Sequence, residues 1–130
     1  MDCRQVLQVL MLLLGFKVSF GLNITSHGSL SVGSNFSLYC DIPSFKNISA
    51  SWYRNETMLT DCSIHICTIT IDRNFSFTWN MTGISVCINP LEITENNVIW
   101  KCVTSSGKTA NFTIILALPT TPPTGPVSGK

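Results

Sequence analysis

Apolar and polar residues alternate along most of this chain, in short runs broken by glycine, proline and asparagine. Phe36, Leu38 and Cys40 form one such series, and Ile48, Ala50 and Trp52 the next. Phe75, Phe77 and Trp79 repeat it. Ile84, Val86 and Ile88 follow, then Val98, Trp100 and Cys102, and last Phe112, Ile114 and Leu116. A period of two puts each series on one face of a β-strand, pointing inward, while the residues between point out. Leu30-Ser-Val32, ended by Gly33, predicts a short first strand, and the β-branched stretch from Ser63 to Asp72 predicts another. Asn55 to Asp61 is polar and reads as a turn. Pro43 and Lys46 mark a loop, and Ser106-Gly107 a hairpin turn. About eight short strands without a sustained helical period predict an all-β sandwich.

The two ends depart from this pattern. Arg4 precedes an apolar run from Val6 to Phe16, with small residues at Ser19 and Gly21. That is the layout of a secretory signal peptide over residues 1–21, and the run is short for a membrane span. Residues 22–118 then form one domain. The stretch 119–130 contains Pro119-Thr-Thr-Pro-Pro-Thr-Gly-Pro126 and reads as an extended linker or stalk, because proline has no donor for a strand ladder. With no hydrophobic segment after it, the expectation is a secreted product, or a receptor ectodomain shortened by splicing, and no membrane span in this chain.

Without the leader, the chain keeps six basic residues (Lys46, Arg54, Arg73, Lys101, Lys108, Lys130) and six acidic ones (Asp41, Glu56, Asp61, Asp72, Glu92, Glu95). The formal balance is zero. A neutral, weakly charged surface has no long-range field to gather phosphates or anionic lipids, which argues against nucleic acid as a partner.

Seven N-x-S/T sequons supply polarity instead, at Asn23, Asn35, Asn47, Asn55, Asn74, Asn80 and Asn111. Asn89 is excluded because Pro90 follows it. Seven in about 109 residues behind a signal peptide predict a heavily glycosylated protein of the secretory pathway. In six of the seven the next residue is apolar: Ile24, Phe36, Ile48, Phe75, Met81 and Phe112. If that residue points inward on a strand, the asparagine before it points out, where a glycan fits.

Cys40 lies in an alternating strand, Trp52 follows 12 positions later, and Cys102 ends the run Val98-Ile-Trp-Lys-Cys102. In this Cys…Trp…Cys pattern, over roughly Leu22 to Leu118, the chain resembles the immunoglobulin superfamily. Cys40 matches the cysteine of that family's strand B, Trp52 the tryptophan of strand C, and Cys102 the cysteine of strand F. The spacing, with extra strand material from Cys62 to Ile71, looks most like a variable-type or intermediate-type domain. The resemblance implies a Greek-key sandwich of two antiparallel sheets, a Cys40–Cys102 disulfide joining them, and a role in binding. Such a bond would close a long loop and contribute roughly 4 kcal/mol in the chain-entropy model. One departure concerns the tyrosine that the family usually places two residues before the second cysteine. Trp100 stands there, and its indole can donate a hydrogen bond but not reproduce the phenol contact.

Cys62, Cys67 and Cys87 remain. Any two of them could bond. A Cys62–Cys67 staple across Ser-Ile-His-Ile would leave Cys87 without a partner; the alternatives, which are favoured over an outward free thiol, are a Cys67–Cys87 bridge and a buried, inert Cys87. If Val86 and Ile88 face inward, Cys87 faces outward, where a free thiol could link two chains. A zinc reading of Cys62, His65 and Cys67 lacks the second half of a site, and an oxidising compartment favours disulfides. No metal and no cofactor is expected.

Catalysis is not expected either. There is no nucleophile elbow, phosphate-binding glycine loop or zinc-protease motif, and His27 and His65 have no recognisable partners. Binding has a sharper expectation. In an immunoglobulin-like sandwich the strands of Trp52, Cys102 and Phe112 share one sheet. Its outer face would carry Tyr53, Ile99, Val103 and Ile115 around Lys101, an apolar patch of the kind that often marks a partner site. The function expected is that of a secreted or cell-surface, glycosylated recognition module. It would bind an extracellular protein or glycan in adhesion or immune-type recognition, with a homodimer as one form of pairing. The alternatives are a truncated ectodomain of a longer receptor or defence lectin, and a structural extracellular protein forming disulfide-linked dimers.

Overall fold

The computed structural model describes residues 21–70 and 74–117. The expected leader, save Gly21, and the expected Pro/Thr-rich tail lie outside the described residues. Nine strands are present among the described residues: β1 (Asn23–Gly28), β2 (Phe36–Asp41), β3 (Ala50–Arg54), β4 (Thr57–Cys62), β5 (Cys67–Ile69), β6 (Phe75–Trp79), β7 (Gly83–Ile88), β8 (Ile99–Thr104) and β9 (Thr109–Thr113). They form two antiparallel sheets, one of four strands in the order β1-β2-β7-β6 and one of five in the order β5-β4-β3-β8-β9. The architecture is the expected all-β sandwich.

The inward series of the sequence make the core. Phe36, Leu38, Cys40, Ile84, Val86 and Ile88 come from one sheet, and Ala50, Trp52, Trp100 and Cys102 from the other. Ile114 and Leu116 close it. Cys40 of β2 and Cys102 of β8 are joined, with their Cα atoms 6.4 Å apart, so the bond ties the two sheets together across the core. Trp52 and Cys102 are register partners on adjacent strands, which sets the indole beside the bridge. Trp100 packs edge-on against Trp52 and against Phe75, with ring centroids 6.0 and 5.3 Å apart.

Three local expectations need correction. Leu30–Gly33 is a turn rather than the first strand, and β1 lies before it. The reason is local bonding: Ser31 shares hydroxyl hydrogen bonds with Ser29 and Ser34, and the Ser34 N–H closes a turn onto the Ser31 carbonyl. The polar stretch after Arg54 is mostly strand, since β4 starts at Thr57. Only Asn55 and Glu56 turn, with φ of 46° and 71°, as a two-residue hairpin loop with both central residues left-handed. Glycine is usual at the second of those positions, so Glu56 hid the hairpin. The β-branched stretch from Ser63 contributes only the three residues of β5 among those described.

One glycine is required by close approach. A Cβ on Gly83, at the start of β7, would fall 2.0 Å from the Cys40 carbonyl oxygen of the adjacent β2.

Candidate interaction face

The register of the five-stranded sheet fixes what its outer surface carries. Trp52 and Cys102 point inward, so their neighbours Tyr53 and Lys101, which are partners across β3 and β8, point out. Lys101 faces Asn111 on β9, and Tyr53 faces Met58 on β4. One outer row therefore runs Met58, Tyr53, Lys101, Asn111 across four strands. A second runs Thr68, Asp61, Ser51, Val103, Thr109 across five. Ile99 pairs with Thr113 at the end of β8 nearest the Asn55-Glu56 turn, and Ile115 follows β9.

The expected residues Tyr53, Ile99, Lys101, Val103 and Ile115 thus belong to this sheet or its immediate continuation, with Met58 beside them. Met58 is 49 %, Ile99 43 % and Ile115 57 % exposed, while Tyr53, Lys101 and Val103 are half-buried. The polar groups among them are tied locally. Lys101 Nζ donates to Glu56 at 2.9 Å, and Ser51 Oγ donates to Asp61 at 3.2 Å. Both pairs face solvent and contribute little to stability. The Asn55 Oδ1 accepts from the Ile99 N–H at 2.9 Å, which fixes the turn against the start of β8.

Glu95, which the sequence shows only as one of six acidic residues outside the expected leader, is part of the interior. It is 3 % exposed. Its carboxylate accepts the Trp100 indole N–H at 3.2 Å and the Arg54 Nε–H at 2.9 Å, with Arg54 Nη2 making a second contact. The Arg54 guanidinium also lies 5.7 Å over the Phe75 ring. The buried Trp100 indole N–H is therefore satisfied by an acid five residues earlier. A cavity of about 160 Å³ borders this group, lined by Asn74, Pro90, Glu92 and Thr94 together with Arg54 and Glu95. Its one strong base is already paired with Glu95.

The remaining cysteines are bonded. Cys62 and Cys67, register partners on β4 and β5, form the local staple with Cα atoms 4.1 Å apart. Cys87 sits on central strand β7 between Val86 and Ile88, which do face inward, but it is buried. None of the described cysteines is a free thiol, so of the readings open for Cys87 the outward-facing free thiol does not hold. No group of three or more His, Cys, Asp or Glu among the described residues is placed to hold a metal. His27 lies on β1 and His65 in the β4–β5 loop, on different sheets.

The sequon asparagines are spread around the sandwich. Asn23, Asn35, Asn47, Asn55 and Asn111 are exposed, and Asn74 and Asn80 are half-buried. Parity accounts for Asn23, Asn35 and Asn111, whose following residues Ile24, Phe36 and Phe112 turn toward the core. It fails at Asn80, because Met81 is at the tip of the β6–β7 hairpin and is exposed. There Asn80 Oδ1 instead accepts the N–H groups of Thr82 and Gly83 at 2.8 and 3.0 Å and closes the turn. Asn74 Nδ2 donates to Glu92 at 2.9 Å.

On the other sheet, the Tyr39 hydroxyl is 2.5 Å from that of Thr82. Burial pushes the Tyr39 phenol above its ordinary range, and the bond to Thr82 works against the shift. The loop after β2 and the β8–β9 turn meet at one end of the sandwich: the Ser105 N–H donates to the Ser49 carbonyl at 2.9 Å, and the Ser49 N–H donates to Ser105 Oγ at 3.0 Å. No helix among the described residues is long and apolar enough to cross a membrane. No family model matches the chain, and no curated protein matches it.

Proposed function

We propose that this chain is a glycosylated extracellular recognition module of the immunoglobulin-like type, and that it engages a protein partner through the outer face of the five-stranded sheet. The observation that carries the reading is the run of exposed apolar side chains, Met58, Ile99 and Ile115, around Tyr53 and Val103 on one sheet surface. Apolar area gathered on one sheet surface is what a binding patch requires. The inter-sheet disulfide with Trp52 beside it supports the family reading, and the bonded cysteines suit an oxidising compartment. The partner is a cell-surface or secreted protein with a complementary apolar patch, a second copy of this chain among them. No reaction is assigned to the molecule.

Ile99→Asp tests the reading. It puts a charge into the patch at a position already open to water. The variant should be secreted and melt like the wild type, but lose binding in a screen of the secreted chain, with and without its glycans, against cell-surface proteins and against itself. Unchanged binding with an intact fold would sink the proposal.

A further inference from the structure

The outer row of the five-stranded sheet contains a modification site as well as apolar groups. Asn111 is exposed, points out from β9, and lies in register with Lys101, which lies in register with Tyr53. Adjacent strands are about 4.8 Å apart, so Tyr53 sits about 10 Å from Asn111 across the sheet. Two or three sugar rings attached to Asn111 span that distance. Along the way they meet groups that suit a carbohydrate. The Tyr53 ring offers an apolar face with a polar tip, the Lys101 ammonium can donate to sugar hydroxyls, and Met58 extends the apolar floor. Of the other sequons, only Asn55 belongs to this sheet, in the turn beside Ile99.

We propose that the N-linked oligosaccharide of Asn111 lies along this row, over Lys101 and Tyr53, and closes the face to a protein partner. Chains that leave Asn111 unmodified are then the binding-competent form. The modification is transfer from a lipid-pyrophosphate-linked oligosaccharide. The bond from the sugar's anomeric carbon to the pyrophosphate oxygen breaks, and a bond from that carbon to Asn111 Nδ2 forms. Nδ2 gives up one proton, and the lipid pyrophosphate leaves. Thr113 supplies the sequon hydroxyl two residues on, on the same outer face. This inference rests on the extracellular reading above and assigns a regulator to the same face. It accounts for an apolar surface that stays covered until a particular glycoform meets its partner.

The test uses the full chain secreted from glycosylating cells, beside Thr113→Ala and Asn111→Gln, either of which removes the sequon, and Asn47→Gln as a control. Occupancy of each sequon is read by enzymatic release in heavy-oxygen water and mass spectrometry. Cover is read by hydroxyl-radical footprinting at Tyr53 and Met58. The expected result is an occupied Asn111 and a several-fold slower oxidation of Tyr53 and Met58 in the wild type than in either Asn111-site variant. Asn47→Gln should leave both rates unchanged. Self-association or partner binding should be stronger in Thr113→Ala and Asn111→Gln and be lost again when Ile99→Asp is added. Equal footprints with Asn111 occupied overturn the inference, as does an empty Asn111 beside filled sequons elsewhere. Neither touches the recognition reading, which fails separately if the patch binds nothing in any glycoform. A chain with no sequon filled overturns both.

Discussion

The two sheets of this sandwich differ in which outward side chains they leave open: exposed apolar groups of the described residues stand among polar ones on the five-stranded sheet only. The five-stranded sheet turns out Tyr53, Met58, Ile99 and Val103, and leaves two of these four well exposed. The four-stranded sheet turns out Thr25, His27, Ser37, Tyr39, Ser76, Thr78, Ser85 and Cys87. Its central members Ser37, Tyr39, Ser85 and Cys87 are nevertheless buried. There the hydroxyls bond to one another, Tyr39 with Thr82 and Thr78 with Ser85. Alternation says which way a side chain points, and burial depends on what stands around it. Here the outward polar row is enclosed and the outward apolar row is open, which is why the open one is the candidate for binding.

Removing the clamp between the sheets has the largest expected effect. The double variant Cys40→Ala/Cys102→Ala opens a bond spanning 62 residues, which the chain-entropy model values at roughly 4 kcal/mol. Urea unfolding should show the midpoint collapse at both faces together. If a probe on one sheet unfolded well before a probe on the other, the faces would not stand on one cooperative unit. Next in size is a direct contrast of burial. Ser85→Asp puts a carboxylate into an enclosed outward position that is only 5 % exposed, at a cost on the order of 3 kcal/mol. Ile99→Asp places the same group on the open face. Equal destabilisation of the two would erase the distinction drawn here.

Tyr39→Phe sharpens the enclosed side. It removes the hydroxyl bond to Thr82, costing about 1 kcal/mol near neutral pH. Its pH dependence has a definite sign. The folded phenol ionises above its unfolded value of about 10, so its contribution is complete below that pH. As pH rises past about 10 the unfolded chain loses the proton first, and stability falls until the folded phenol ionises too. That part of the alkaline loss should vanish in Tyr39→Phe, as thermal melts from pH 8 to 11 would reveal (the range brackets the ordinary phenol value of about 10). The smallest effect belongs to Ile99→Asp, whose stability should lie within about 0.5 kcal/mol of wild type while its binding is lost.

Much of this was legible in the sequence because the core series are strict alternations. Phe36-Leu38-Cys40 and Ile84-Val86-Ile88 read correctly as facing inward, and so did Ala50 with Trp52. Three features were not legible, each for a physical reason. Glu56 occupies a left-handed position that normally signals itself by glycine, and its partner Lys101 is 45 residues away in sequence. Glu95 looks like any turn carboxylate until Arg54, 41 residues away, and the Trp100 indole meet at it. Cys87 has the right parity for solvent, but parity carries no information about enclosure. The outer patch was legible except for Met58, which lay in a segment read as turn.

The Cys62–Cys67 bond closes the margin of the five-stranded sheet. A sheet ends in a strand whose outer backbone groups can template another chain, and a long, flat margin invites fibrous growth. Here that margin is β5, three residues long and covalently fastened to β4. It offers few groups to recruit a neighbour and cannot lengthen by peeling away from β4 at Cys67. Side-by-side polymerisation is thereby discouraged at this edge, so the chain can be concentrated without seeding a fibril from that side.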